Sequence, residues 1–201
     1  MPLARPHAYH GSAAGDEPHV MTPRVIRRTT TELAPDELVA IRDLLWAAFP
    51  SGEEAFTEDD WQHAIGGQHF LADVDGKIVS HASVVERELH VAGQPIRTGY
   101  VEAVGTAPDH QGRGHGSAVM RDATAYVRET FELGALATGA HGFYERMGWQ
   151  TWRGPTFVRA PNGPRRTPEE DGFILVLLTP TSPPIDNTTE ISCDWRPGDV
   201  W

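Results

Sequence analysis

Asp109-His110-Gln111-Gly112-Arg113-Gly114-His115-Gly116-Ser117 decides how this chain is read. It follows a β-prone run, Tyr100 to Thr106, and opens a segment whose apolar residues, Val119, Ala123, Tyr126, Val127 and Phe131, recur at helical spacing. A strand that stops in a Gly-rich turn and restarts as a helix points unpaired backbone N–H groups and the positive end of a helix dipole at one place, and that place binds an anion. The glycines let the backbone close around a diphosphate, because no Cβ intervenes and positive φ is cheap. No Gly-Lys-Ser/Thr follows, so this is not a Walker A loop. It also departs from the dinucleotide fingerprint, since no βαβ unit with a ribose-binding acid lies downstream. From this stretch alone, a Gly-rich surface turn is the competing reading.

Upstream of the loop, Val25 to Arg28 reads as a first strand. Pro35-Asp36-Glu37 starts a helix with Pro tolerated at its first position and carboxylates favoured by the dipole, and Leu38, Ile41, Leu45, Ala48 and Phe49 form its apolar stripe. Thr57-Glu58-Asp59-Asp60 is a capping box, flanked by Phe56 and Trp61 as a hydrophobic staple, which gives Asp60 a structural role beside any functional one. Asp75-Gly76 and Ala92-Gly93 reverse the chain between strand-like runs, so strands two, three and four are consecutive and antiparallel.

Downstream, a strand is expected near Ala135 to Ala137, then a helix ending at Met147-Gly148, then a buried last strand at Phe173 to Leu178. An irregular tail follows. The order β-α-α-β-β-β-α-β-α-β specifies an α+β fold around one mixed, mostly antiparallel sheet flanked by helices. Residues 24–201 form the expected single domain, behind a flexible N-terminal arm at 1–23.

Composition bounds the function. The chain has 201 residues, is 39% hydrophobic and contains six Trp, which suits one globular core. Its longest apolar run, Phe173 to Leu178, is too short to span a bilayer, so no membrane partner is expected. One cysteine, Cys193, excludes an internal disulfide and points to a reducing cytoplasm. The ten His lack metal-ligand spacing, and no metal is expected. The formal charge is −11, with clusters at Glu53, Glu54, Glu58, Asp59 and Asp60 and again between Glu169 and Asp199, where Arg196 is the only cation after Arg166. Such a field repels nucleic acid and attracts polycations, although acidic runs are often only solubilising surface.

Phe143-Tyr144-Glu145-Arg146-Met147-Gly148-Trp149 lies about thirty residues beyond the loop, with one helix and one strand between. Together with Gln111 to Gly116 it resembles the Gln/Arg-x-x-Gly-x-Gly loop and the Phe-Tyr-x-x-x-Gly-Phe element of the GCN5-related N-acetyltransferases. The resemblance implies that family's fold, with acetyl-coenzyme A as donor, Gln111, Gly112, Arg113, Gly114, His115, Gly116 and Ser117 around its diphosphate, and Val104, Gly105 and Thr106 pairing with its pantetheine arm where strands four and five splay apart.

Phe56 to Trp61, Gly99 to Glu102, Arg166 to Gly172 and Cys193-Asp194-Trp195-Arg196-Pro197-Gly198-Asp199-Val200-Trp201 further resemble the aminoglycoside 2′-N-acetyltransferases of mycobacteria and their relatives. This likeness runs from about Val25 to Trp201. It implies a polyammonium sugar as the acceptor, held by Asp60, Glu102, Ala103, Glu170 and Trp201, the last with its free carboxylate. Relatives carry an Asp where this chain has Ala55, so either a longer Glu, Glu54 or Glu53, reaches the same ammonium or that contact is gone.

Direct attack of a neutral amine on the thioester needs a base and a proton donor for the departing thiolate. The resemblance assigns these roles to Glu102, acting through water, and to Tyr144, with N–H groups near Val104 polarising the thioester carbonyl. The family often forms dimers, so a homodimer is among the expectations. Two other readings stay open: acetylation of another polycation, such as a polyamine or cell-wall amino sugar, and non-catalytic binding of cationic drugs or acetyl-coenzyme A.

Overall fold

Residues 23–52 and 55–201 are described in a computed structural model of the chain. The expected arm lies, apart from Pro23, outside the described residues, as do Glu53 and Glu54.

Among the described residues, one sheet of ten strands organises the fold. β1 (Arg24–Thr29) pairs with β2 (Gln68–Val74), which pairs with β3 (Lys77–Val91), and β3 pairs with β4 (Gln94–Thr106), all antiparallel. Asp75 and Gly76 both have positive φ, as do Ala92 and Gly93, which is the twist-matched geometry of two-residue hairpin turns. β5 (Leu133–Ala137) then joins β4 in parallel, and β9 (Ile174–Leu178) lies antiparallel to β5. β9 is buried from Ile174 to Leu177, whereas Leu178 at its end and Phe173 just before it are exposed.

The tail is not irregular. Ile191–Asp194 forms β10, which pairs with the far end of β3 and runs parallel to β7 (Thr156–Ala160), itself in a hairpin with β8 (Gly163–Arg166). The sequence reading missed these strands because each is five residues or fewer and lacks a full alternating period. A two-residue β6 (Gln150–Thr151) completes the β9 edge.

Helix α3 (His115–Thr130) covers one face, burying Val119, Met120, Ala123 and Val127 against Phe70, Val84 and Val101. On the other face α1 (Pro35–Ala48) and α2 (Glu58–Ala64) cover Leu71 through Ile41, Leu44, Leu45 and Trp61. Beyond the reach of these helices, that second face carries Val85, Leu89 and Tyr100, and here β7, β10 and Trp201 form the cover. The C-terminal segment is therefore a structural layer, and it meets α2, where Gly198 lies beside Asp59.

Candidate active site

β4 is hydrogen-bonded to β5 only at Thr98, Gly99 and Tyr100, although it runs on to Thr106. From Val101 onward its β5-facing edge has no strand partner among the described residues, leaving a gap that an extended chain can enter by β-type hydrogen bonding. At the end of the gap Gly112 and Gly114 adopt φ of 71° and 84°, and Gly114 is the N-cap of α3. These two left-handed residues bend the loop so that the first N–H groups of α3 remain free of helical partners. A Cβ on Gly116 would sit 3.2 Å from Thr106 Oγ1, so this glycine sets how closely the helix approaches the end of β4. Gln111 Nε2 donates to Thr106 O at 3.2 Å, tying the loop to the strand. A left-handed Gly-rich turn leading into a sixteen-residue helix is a fit for a diphosphate.

A β-bulge marks the middle of the gap. Between the pairs Ser83↔Glu102 and His81↔Gly105, β4 contains one more residue than β3, and Ala103 takes φ of 51°. The bulge changes which way side chains face. Val101 and Val104 pack under α3, whereas Ala103 packs with the α1 and α2 core and Glu102 reaches the C-terminal segment. Two consecutive residues, Glu102 and Ala103, thereby share the face that carries the tail, which an unbulged strand forbids.

Glu102 meets Arg196 there, Nη1 to Oε1 at 2.7 Å, with both side chains about 15% exposed (15% and 14%). The same guanidinium donates to Asp199 O at 2.7 Å and Trp201 O at 3.2 Å. Arg87, over the Tyr100 ring, donates to Asp194 O and Val200 O. Two arginines thus hold four main-chain oxygens of the last eight residues against β3 and β4. Burial pushes the Glu102 carboxyl up, the Arg196 charge and hydrogen bond pull it back, and Asp60 adds a smaller upward push.

A profile described as "Acetyltransferase (GNAT) domain" matches residues 29–152. An aminoglycoside 2′-N-acetyltransferase of Mycolicibacterium fortuitum is 40% identical over 176 residues, covering 86% of this chain and 89% of that one. The chain belongs to the GCN5-related N-acetyltransferase family. Solved structures agree on the fold: a GNAT acetyltransferase of Brucella melitensis in complex with acetyl-CoA has 18% identity and a TM-score of 0.56, covering 82% of this chain and 94% of that one. One from Escherichia coli in complex with CoA has 15% identity and a TM-score of 0.59, covering 86% and 91%.

Within this acetyltransferase fold, Tyr144 lies in α4 (His141–Glu145), buried edge-on between Phe143 and Trp149. Burial pushes its phenol up to about 12. Asp60 caps α2 as read from the sequence: its carboxylate accepts from the Thr57 N–H and hydroxyl at 2.8 Å, while its own N–H donates back to Thr57 Oγ1. Glu170, in the 3₁₀ turn Pro168–Glu170, is half-buried, and its carboxyl is pushed up by burial and then by Asp199 and Glu169. His115 starts α3 with its ring buried near that of His110.

Trp201 is interior: its indole is 4% exposed in the core with Tyr100 and Cys193, and its Nε1 donates to Thr167 Oγ1 at 3.2 Å, so the ring anchors the tail while Trp201 O lies on Arg196 Nη2. Sequence reasoning also missed Arg87 and the pairing of Arg196. It counted Arg196 as a stray cation in an acidic segment, and nothing local marks a partner 94 residues away. His69 and His81, both fully buried, were passed over for lack of metal spacing. The available signal for His81 was its place, with Ser80 and Ser83, inside the β-prone stretch Ile78 to Val85. Among the described residues no helix is long and apolar enough to cross a membrane, and no group of His, Cys, Asp or Glu is placed to hold a metal.

Proposed function

We propose that this enzyme transfers the acetyl group of acetyl-CoA to the 2′-amine of aminoglycosides by direct attack of the amine on the thioester. The observation that carries this reading is the convergence of Asp60, Glu102, Glu170 and Asp199 around a tail clamped at the mouth of the β4–β5 gap. A polyammonium ligand offsets the burial and the neighbouring Asp199 and Glu169 charges that disfavour the Glu170 carboxylate, and neutral or anionic acceptors gain nothing there. The M. fortuitum relative supports the same acceptor.

In this reading the Gly112 to Ser117 turn holds the diphosphate, and β4 from Val104 to Thr106 pairs with the pantetheine arm. The Val104 N–H polarises the thioester carbonyl, because at the bulge it has no strand partner. Glu102 is the base, acting through water. Burial favours its neutral form and Arg196 favours its carboxylate, so the ion pair keeps it able to accept a proton. Tyr144 donates a proton to the departing thiolate, and a phenol at about 12 is fully protonated at neutral pH. The unpaired, buried Cys193 fits a reducing cytoplasm.

The test is regiochemical. Drugs with a 2′-amine are acetylated far faster than 2′-hydroxyl analogues, with the product site fixed by NMR and mass spectrometry. Main acetylation at the 3- or 6′-amine overturns the 2′ assignment. A higher kcat/KM on polyamines or simple amino sugars transfers the physiological role to them, and absence of thiol release with every acceptor makes the protein a binder.

A further inference from the structure

Three side chains of β3 donate to carbonyls of β4 at and beside the bulge. Ser83 Oγ donates to Glu102 O at 3.2 Å, His81 Nδ1 to Ala103 O at 2.8 Å, and Ser80 Oγ to Gly105 O at 2.9 Å. All three residues are fully buried. Behind His81 the contacts continue: its Nε2 lies 2.9 Å from His69 Nδ1, His69 Nε2 lies 2.8 Å from Thr30 Oγ1, and Thr30 Oγ1 accepts the Gly66 N–H at 2.8 Å.

The direction of this chain is fixed by its end. A carbonyl only accepts, so His81 carries its proton on Nδ1. A neutral imidazole has one N–H, so His81 Nε2 must accept from His69 Nδ1–H, and His69 Nε2 in turn accepts from the Thr30 hydroxyl. Each donor is also an acceptor, an arrangement in which successive hydrogen bonds polarise one another. Burial pushes His69 down to about 4 and His81 down to about 3, so both rings stay neutral and the direction holds at neutral pH.

We propose that His81, backed by His69 and Thr30, is a positioning residue that grips the Ala103 carbonyl and thereby aims the Val104 N–H, on the same peptide unit, at the acetyl thioester oxygen. The peptide bond is planar and trans, so its C=O and N–H point in opposite directions. With the carbonyl held toward β3, the N–H is directed to the other edge of β4, where β5 no longer pairs. Ala103 needs this grip. An L-residue at φ of 51° sits in the left-handed region that its Cβ disfavours, and without His81 the peptide can relax and turn its N–H away. Nothing in the arrangement makes His81 a proton carrier, because the chain ends on a carbonyl.

This inference rests on the Val104 donor proposed above, and one pair of variants tests both. In His81→Asn the amide nitrogen stands where Nδ1 stood and can still donate to Ala103 O. In His81→Gln an equally polar amide reaches toward His69 instead. Isotope-edited infrared spectroscopy of enzyme-bound acetyl-CoA, ¹³C-labelled at the acetyl carbonyl, reads the donor directly. The wild type is expected to shift the carbonyl band below its free position. His81→Gln is expected to lose most of that shift and to lower kcat at least tenfold, somewhat less than the about 10²-fold or more typical of deleting an oxyanion donor, with both substrate KM values near wild type. His81→Asn recovers most of the shift and the rate. A folded, CoA-binding His81→Gln enzyme with wild-type band and kcat overturns the role of His81 and leaves Val104 standing. A wild-type band at the free position removes the Val104 donor and the positioning role with it.

Discussion

Arg196 Nη1 donates to Glu102 Oε1 across 2.7 Å, joining the C-terminal segment to the central strand of the sheet with little water around either group. One guanidinium therefore does two things. It opposes the burial that favours a neutral Glu102, and it holds the main chain of Asp199 and Trp201 in place. In Arg196→Gln the carboxyl moves further up, so the acidic limb of the kcat/KM profile moves to higher pH, and the drug KM rises as the tail loosens. Glu102→Gln removes that limb and costs about 10²-fold in kcat. A pH profile of the Arg196 variant that overlays wild type would separate Glu102 from the proton transfer.

Tyr144→Phe is expected to lower kcat about 10²-fold at an unchanged drug KM, because the ring's packing against Phe143 and Trp149 is preserved. With the phenol pushed up to about 12, its ionisation produces no falling limb in the ordinary assay range. Any fall near pH 9 belongs to another group, and the variant keeps it. Full kcat in Tyr144→Phe, with chemistry shown to limit turnover, assigns thiolate protonation to solvent.

The acidic subsite and the tail anchor separate by mutation. Asp199 is exposed and affects Glu170 by charge alone, so Asp199→Asn raises the drug KM and leaves both the acetyl-CoA KM and Tm near wild type. Trp201→Ala empties a core position and loses the bond to Thr167 as well, at a cost of about 3–5 kcal/mol. Denaturant titration beside steady-state kinetics distinguishes the two. Equal Tm losses in both variants would make Asp199 structural.

Acid stability reports the buried histidines. Their folded values, about 4 for His69 and about 3 for His81, lie below the ordinary 6.5, so the unfolded chain binds their protons first. The stability they contribute is complete above pH 6.5 and is lost as pH falls toward 4 and below. Each neutral histidine contributes a slope of about 1.4 kcal/mol per pH unit in that window. Urea unfolding from pH 7 to 4.5 should show a shallower decline in His81→Asn than in wild type, and identical slopes would mean that His81 is protonated in the folded state.

Legibility followed the range of the forces involved. Asp75-Gly76, Ala92-Gly93 and the Thr57–Asp60 box are decided by the backbone and side chains of adjacent residues, and each forms as read. The Gly112 to Gly116 turn has the left-handed backbone its glycines announced. Tyr144 and Glu102 were found through family motifs, but their surroundings were not. The sequence gives no sign that Glu102 is paired, that Trp201 is interior, or that β10 inserts between β3 and β7.

What the amino-acid sequence determined by itself is the set of local conformations: where helices start, which turns close, and where a diphosphate finds free N–H groups. Only the tertiary structure decided which buried side chains of β3 reach the carbonyls around Ala103, and which cation faces Glu102. The physical reason is that capping and turn geometry depend on residues a few positions apart, whereas the state of a buried charge or carbonyl depends on whatever the folded chain brings beside it. Here that is a guanidinium 94 residues along the chain and an imidazole 22 residues away.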